Sequence, residues 1–180
     1  GRADNVPEAG SFVTRDVAGE RVLIVRGDDG VLRAFFNVCR HRGSRLVDEP
    51  SGRLRGGAIA CPYHAWRYAL DGSLRQAPRM DTAGRAQELA LATMPLATRH
   101  GFVFVNLSAA ASAFDEILTD LPDWSRFDLE ALRKVRALEY KIEANWKLVC
   151  ENYSECYHCA RAHPQLDRLC ELSAGGFEAG

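Results

Sequence analysis

Short runs of β-branched and aromatic residues, separated by turn sequences, dominate the first part of the chain. From about Ser11 to Leu107 this pattern predicts strands and turns rather than helices. The runs Val22–Arg26 and Val31–Val38 flank Gly27-Asp28-Asp29-Gly30, which predicts a hairpin. The other predicted elements of this region are a second hairpin, formed by Trp66–Leu70 and the Asp71-Gly72 turn, and a closing strand, Phe102–Leu107.

The pattern changes after residue 108. The sequence Ala-Ala-Ala-Ser-Ala (residues 109–113) is typical of a linker, and helical periodicity follows it. The predicted elements are a helix over Phe114–Leu121, a helix over Leu129–Val135 with Asp128 as its N-cap, a half-buried strand marked by Leu138, Tyr140 and Ile142, and a longer helix over Asn145–Arg161. We therefore expect two domains, residues 1–108 and 109–180.

Composition excludes some partners and indicates a compartment. The 180 residues include 23 Lys+Arg and 24 Asp+Glu, so a net charge of −1 gives no electrostatic reason to expect nucleic acid or an anionic membrane. No apolar run approaches the ~20 residues of a membrane span. Six cysteines would allow disulfides, but four of them lie one to three residues from a histidine. That placement favours metal binding in a reducing cytoplasm.

Two short segments each pair a cysteine with a histidine. Cys39-Arg-His41 and Cys61-Pro-Tyr-His64 both follow predicted strands, where loops could present the side chains. Two cysteines and two histidines can hold a tetrahedral zinc ion or a two-iron cluster in which histidines replace two thiolates on one iron. From the residues alone both metals stay open, as does the simpler interpretation of two buried thiols and two core histidines.

A second group of possible ligands lies near the end of the chain. Glu155 and His158 share a stripe of the predicted helix, whereas His163 would lie about 140° away from His158 on a regular helix. Because Pro164 disfavours the α conformation at the residue before it, we expect the helix to loosen there and His163 to approach His158. The alternatives are two structural histidines or a zinc site that uses Cys156 or Cys159.

The first group and its flanks resemble the Rieske iron–sulfur domain of ring-hydroxylating oxygenases. The matching pieces are Cys39-Arg-His41-Arg-Gly43, Cys61-Pro-Tyr-His64 with Trp66 two residues further on, and the Leu70-Asp71-Gly72 turn. The resemblance implies that Cys39 and Cys61 bind one iron of a [2Fe-2S] cluster and that His41 and His64 bind the other, both histidines being exposed at one tip.

Residues 145–166, NWKLVCENYSECYHCARAHPQL, resemble the iron-binding helix of the same family. The family motif acid-x-x-His-x4-His maps onto Glu155, His158 and His163. The resemblance implies that the two histidines bind a mononuclear Fe(II) and that Asn152 lies near the same site. The third ligand, a carboxylate in this family, is expected outside this chain, because Asp167 and Glu171 are too close to the helix.

The resemblance also implies a fold and an activity. We expect an antiparallel β-sandwich Rieske domain over 1–108, and over 109–180 the start of an α+β helix-grip (START-like) catalytic domain, so that the chain is a fragment. The implied protein is a terminal oxygenase, which receives electrons from a flavin-dependent reductase or a ferredoxin and uses O2 on a small organic substrate. A homotrimer is implied, in which Glu155 bridges the cluster of one subunit and the iron of the next.

The substrate class is less defined by the sequence. The sequence Glu-Cys-Tyr-His-Cys, with Glu at position 155, most resembles the corresponding motif of the branch that demethylates quaternary ammonium compounds such as glycine betaine. The alternative is a dioxygenase of aromatic hydrocarbon catabolism. A different class of function, a Rieske electron carrier or a zinc-stabilised binding module, would leave the segment Asn145–Leu166 without a purpose.

Overall fold

The computed structural model describes residues 1–108, 116, 124–155 and 158–168. The chain forms two compact units, Gly1–Arg133 and Lys134–Gly180. Among the described residues no helix is long and apolar enough to cross a membrane.

An antiparallel sheet of five strands forms the centre of the first unit, in the order β4-β1-β2-β3-β8. Its strands are β1 (Ser11–Val17), β2 (Glu20–Arg26), β3 (Leu32–Phe36), β4 (Ser51–Arg53) and β8 (Thr93–Met94). The predicted β2–β3 hairpin is confirmed, with Val25 opposite Arg33. Gly30 in its turn has a φ of 77°, which only glycine adopts without strain.

Two smaller antiparallel sheets complete this unit. One contains β5 (Ile59–Ala60), β6 (Arg67–Tyr68) and β7 (Leu74–Gln76), and the other contains β9 (Leu96–Arg99) and β10 (Phe102–Val105). They confirm the second predicted hairpin and the closing strand. Short 3-10 helices occupy Ala3–Asn5, Arg55–Gly57 and Ser125–Phe127. The expected mainly antiparallel β architecture is therefore confirmed.

Strand β2, in the middle of the central sheet, is buried on both faces. Successive side chains of a strand point to opposite faces, and on β2 both sets are apolar. Leu23 and Val25 join one buried cluster, while Val22 and Ile24 join a second one. The first cluster also contains both cysteines of the Cys/His segments, Cys39 and Cys61, and connects the central sheet with the β5–β7 sheet. The candidate ligands are thus anchored in the main core of the unit.

The described part of the second unit contains three helices, Trp146–Ser154, Cys159–Ala162 and Pro164–Asp167. The prediction of one helix over Asn145–Arg161 is therefore wrong, because Glu155 has an extended backbone and ends the first helix. The hydroxyl of Ser154 donates to the carbonyl of Cys150 at 2.8 Å, a local bond that competes with the helix backbone. The start of the helix is as expected, since the Asn145 side chain caps it by accepting from the Lys147 N–H.

The predicted helix Leu129–Val135 is also wrong. Asp128 has a left-handed backbone with a φ of 43° and ends the 3-10 turn before it instead of starting a helix. The guanidinium of Arg2 then donates to the carbonyls of Leu129 and Glu130, each at 3.0 Å. These carbonyls would otherwise accept the N–H groups of the next helical turn.

The predicted strand through Leu138, Tyr140 and Ile142 does not form. Residues 132–142 have no regular structure, and these three side chains are 61%, 73% and 58% exposed. Their alternation indicates a face that would be buried in a sheet, but no described strand pairs with it. The linker 109–113 lies outside the described residues, and of the predicted helix Phe114–Leu121 only Glu116 is described, in helical conformation.

Candidate metal centres

The two Cys/His loops have the same backbone framework. In the first loop the N–H of Cys39 donates to the carbonyl of Ser44 at 2.8 Å, and the Cys39 carbonyl accepts from Gly43 at 3.0 Å. In the second loop Cys61 donates to Trp66 at 2.7 Å and accepts from Ala65 at 3.1 Å. The residues four positions after the two cysteines, Gly43 and Ala65, both have a left-handed backbone, with φ of 69° and 58°. The second is unusual, because a Cβ is strained in this conformation.

These loops bring the four predicted ligands of the first unit together. Cys39 and Cys61 are only 2% and 4% exposed, whereas His41 is half-buried and His64 is exposed. The two imidazole rings lie with their centroids 4.7 Å apart and their planes at 66°. The thiols therefore lie in the core. Of the two histidines expected to be exposed, His64 is exposed and His41 is half-buried with a buried Nδ1.

Tyr68 connects the core to the first loop. Its hydroxyl lies 3.2 Å from Cys39 Sγ and accepts from the N–H of Arg40 at 3.2 Å. Burial and the contact with Cys39 raise the pKa of Tyr68, so its proton remains available for donation. Sequence reasoning did not identify this residue, although its alternation with Trp66 around exposed Arg67 indicates two inward-facing side chains.

The same surroundings change the acidity of two candidate ligands. Burial raises the pKa of the Cys39 thiol, and neighbouring Cys61 acts in the same direction. Loss of solvation lowers the pKa of His41, to which the charges of His64 and Arg42 also contribute. An imidazole that resists protonation keeps a nitrogen lone pair free for a metal, and a metal can stabilise the Cys39 thiolate that burial alone disfavours.

The donor set fits a two-iron cluster. The described cysteines, Cys39, Cys61, Cys150 and Cys159, are not joined in disulfides. The Nδ1 atom of His41 is buried and has no hydrogen-bond partner among the described residues, so it is available to a metal. In the described part of the chain no three Cys, His, Asp or Glu side chains are grouped to hold a single metal ion. Two thiols and two imidazoles arranged in pairs suit two metals better than one.

The second group of predicted ligands lies where the helix breaks. The rings of His158 and His163 have their centroids 5.4 Å apart. The carboxylate of Glu155 contacts Nδ1 of His158 at 2.5 Å, which leaves Nε2 of that ring for another partner. As expected before Pro164, the backbone of His163 leaves the helical region, with a φ of −133° and a ψ of 58°. Asn152 is exposed on the preceding helix, and none of the described contacts joins it to the histidines.

Comparison with protein families gives two matches in chain order. Residues 1–95 match the Rieske [2Fe-2S] domain, and residues 129–179 match the catalytic domain of the ring hydroxylating alpha subunit. The chain belongs to the Rieske non-haem iron oxygenases. Members of this family hold a [2Fe-2S] cluster and a mononuclear iron, for which the two groups of side chains described above are the candidate sites.

Named relatives of this Rieske oxygenase chain act on quaternary ammonium compounds. It is 39% identical to the glycine betaine monooxygenase oxygenase subunit of Chromohalobacter salexigens, over 92% of this chain and 37% of that protein. It is 38% identical to the carnitine monooxygenase oxygenase subunit of Escherichia coli K12, over 97% and 49%. The chain therefore spans less than half the length of these two curated relatives.

Solved structures of Rieske oxygenases are also similar to this chain. The quaternary ammonium Rieske monooxygenase CntA in complex with L-carnitine matches with a TM-score of 0.79 and 33% identity, over 99% of this chain and 50% of that chain. Naphthalene 1,2-dioxygenase from Rhodococcus sp. matches with a TM-score of 0.76 and 30% identity, over 93% and 40%.

Proposed function

We propose that this chain is part of the terminal oxygenase component of a quaternary ammonium monooxygenase. The observation that carries the proposal is that one chain contains two groups of metal ligands. The first is the tip formed by the two Cys/His loops. The second is His158 and His163, whose ring centroids are 5.4 Å apart and of which His158 is hydrogen-bonded to Glu155. A Rieske electron carrier or a zinc-stabilised module would need the first group but would have no use for the second.

The first site is assigned residue by residue. Cys39 and Cys61 hold one iron as thiolates, and His41 and His64 hold the other. Support comes from the buried thiols, the neighbouring imidazoles and the unpaired Nδ1 of His41. A neutral imidazole carries less negative charge than a thiolate, so this ligand set favours the reduced state. The Rieske domain is proposed to span residues 1–108.

The second site lies in the proposed catalytic domain, residues 109–180. His158 and His163 are its iron ligands, with Asn152 nearby, and the third ligand is a carboxylate outside this chain. Together the three would form the facial arrangement that leaves iron positions open to O2 and substrate. Glu155 orients the ring of His158 through Nδ1 and keeps it in the tautomer that presents Nε2.

When the two metal groups are bound, they supply one-electron transfer and oxygen activation. The protein aligns them across a subunit boundary, in a homotrimer where the tip carrying His64 faces Glu155 of the next subunit. A carboxylate there can accept a hydrogen bond from an imidazole on each side. Electrons come from a flavin-dependent reductase or a ferredoxin, and the protein functions in the cytoplasm, where its thiols stay reduced.

The substrate is proposed to be a small quaternary ammonium compound. The relatives named for glycine betaine and carnitine support this choice, with identities of 38–39%. Aromatic hydroxylation is the second candidate, because naphthalene dioxygenase shares the fold at 30% identity. Incubation of the full-length protein with a reductase, NADH and O2 distinguishes the two candidates. Oxidation of glycine betaine or carnitine is expected, and oxidation of naphthalene alone would favour the second candidate.

The metal sites are tested by analysis of iron, zinc and acid-labile sulfide together with EPR. The reduced protein is expected to show the low-average-g signal of a histidine-bound two-iron cluster. Cys39→Ser should abolish this signal, whereas the matched control Cys150→Ser, which changes a free and exposed thiol, should retain it. One equivalent of zinc without iron would remove the oxygenase proposal.

A further inference from the structure

Trp66 lies flat against the ring of His41. The ring centroids are 4.8 Å apart and the planes differ by only 1°. Trp66 is 1% exposed and belongs to the buried cluster that contains both cysteines. The χ2 torsion of a histidine is broad and permits a wide range of ring orientations. A flat, immobile neighbour on one face of the imidazole removes most of that freedom.

Few other contacts fix the plane of His41. Its Nδ1 has no hydrogen-bond partner among the described residues. The ring of His64 meets it at an angle of 66°, but His64 is itself exposed. Trp66 is the one described aromatic neighbour of His41 that is both buried and parallel to it.

The indole is held by its backbone and by packing. The Trp66 carbonyl accepts the N–H of Cys61 at 2.7 Å, and the left-handed backbone of Ala65 turns the chain back into the core just before it. The indole Nε1 is buried without a hydrogen-bond partner among the described residues, which lowers stability. The N–H group therefore does not explain why an aromatic side chain lies against His41, whereas its flat face does.

We propose that Trp66 is a positioning residue that fixes the ring plane of His41 in the cluster. It works together with Tyr68, two residues further along, whose hydroxyl contacts Cys39. Two inward-facing side chains of one short segment thus hold the two donors of the first loop, the indole acting on the imidazole and the phenol on the sulfur. This inference rests on the proposed assignment of His41 as an iron ligand.

The test uses pulsed EPR of the reduced protein, in which each iron-bound imidazole gives its own nitrogen hyperfine coupling. Wild-type protein is expected to show two such couplings. Trp66→Met, which fills space without a flat face, should keep the iron and sulfide content but shift or broaden one coupling. Trp66→Phe restores a ring and should return that coupling to its wild-type value. The matched control is Trp124→Met, the same change at an exposed tryptophan, and its two nitrogen couplings should stay unchanged.

The outcomes separate the two proposals. Absence of imidazole couplings from iron-loaded wild-type protein would overturn both the ligand assignment and the role of Trp66. Two normal couplings in the wild type and unchanged couplings in Trp66→Met would overturn the role of Trp66 alone, as would equal disturbance in Trp66→Met and Trp66→Phe. If Trp66→Met does not fold, Trp66→Phe decides: wild-type couplings support ring stacking, and a shifted or second population refutes it.

Discussion

Removal of the Tyr68 hydroxyl tests how the protein controls the potential of the cluster. The hydroxyl lies 3.2 Å both from Cys39 Sγ and from the Arg40 nitrogen, and the side chain is fully buried. Tyr68→Phe keeps the ring and removes both contacts. The thiolate loses a donor, and the N–H of Arg40 loses its acceptor.

The size of the effect follows from these two contacts. A reduced cluster carries one more negative charge than an oxidised one, so a donor to the thiolate stabilises the reduced form more. We take the hydrogen bond to stabilise the reduced form by about 1 kcal/mol more than the oxidised form, which is the net contribution of one ordinary hydrogen bond. Its loss in Tyr68→Phe then lowers the midpoint potential by roughly 40 mV. Arg40 is exposed, so water can replace the lost acceptor of its N–H, and the free energy of unfolding is expected to fall by about 0.5–1.5 kcal/mol.

The measurement is a redox titration followed by circular dichroism at constant pH, and chemical denaturation gives the stability. Tyr63→Phe is the matched control, because that ring contacts His64 while its side chain is 62% exposed. We expect no loss of stability and little change of potential in the control. An unchanged potential in Tyr68→Phe, or an equal shift in both variants, would contradict the reasoning.

Two further predictions concern packing and electron transfer. Gly72→Ala places a Cβ 2.5 Å from the buried ring of Phe35 at a φ of 89°, whereas the control Gly30→Ala, with a φ of 77°, meets nothing within 4 Å. Both variants should lose about 1–2 kcal/mol of stability because alanine is strained in the left-handed backbone. Gly72→Ala should lose about 1–3 kcal/mol more because its Cβ overlaps the Phe35 ring. Equal denaturation midpoints of the two variants would contradict this overlap. Glu155→Gln in the full-length protein should retain both metals but lose most turnover, and reoxidation of its reduced cluster by O2 and substrate at the wild-type rate would exclude the bridge.

Local chemistry explains which elements the sequence could predict. The β2–β3 hairpin depends on a glycine-bounded turn and on runs of β-branched residues, both of which act over a few residues. The departure of His163 from helical geometry follows from a steric effect of Pro164 on its neighbour. The Cys/His pairs were found for the same reason, because each loop is only a few residues long.

Elements that depend on distant contacts could not be predicted. The helix expected at Leu129–Val135 is prevented by Arg2, more than a hundred residues away in the chain. Trp146, Val149 and Tyr153 recur at three- and four-residue steps, which indicates an apolar helix face. Tyr153 is nevertheless 90% exposed, because periodicity does not show what covers a face. The left-handed backbone of Ala65 could not be predicted either, because this conformation is uncommon for any residue with a Cβ, so alanine does not indicate it.

The gradient of burial across the first site, from deep thiols to an exposed His64, has a consequence for assembly of the protein. The loop backbones are closed by their own hydrogen bonds, which fix the positions of Cys39 and Cys61 in the core. We expect a preformed cluster to enter from the histidine side, where the site is exposed, and exchange with Cys39 and Cys61 to complete the insertion. In the proposed trimer, where the tip faces the next subunit, we expect insertion to precede oligomerisation.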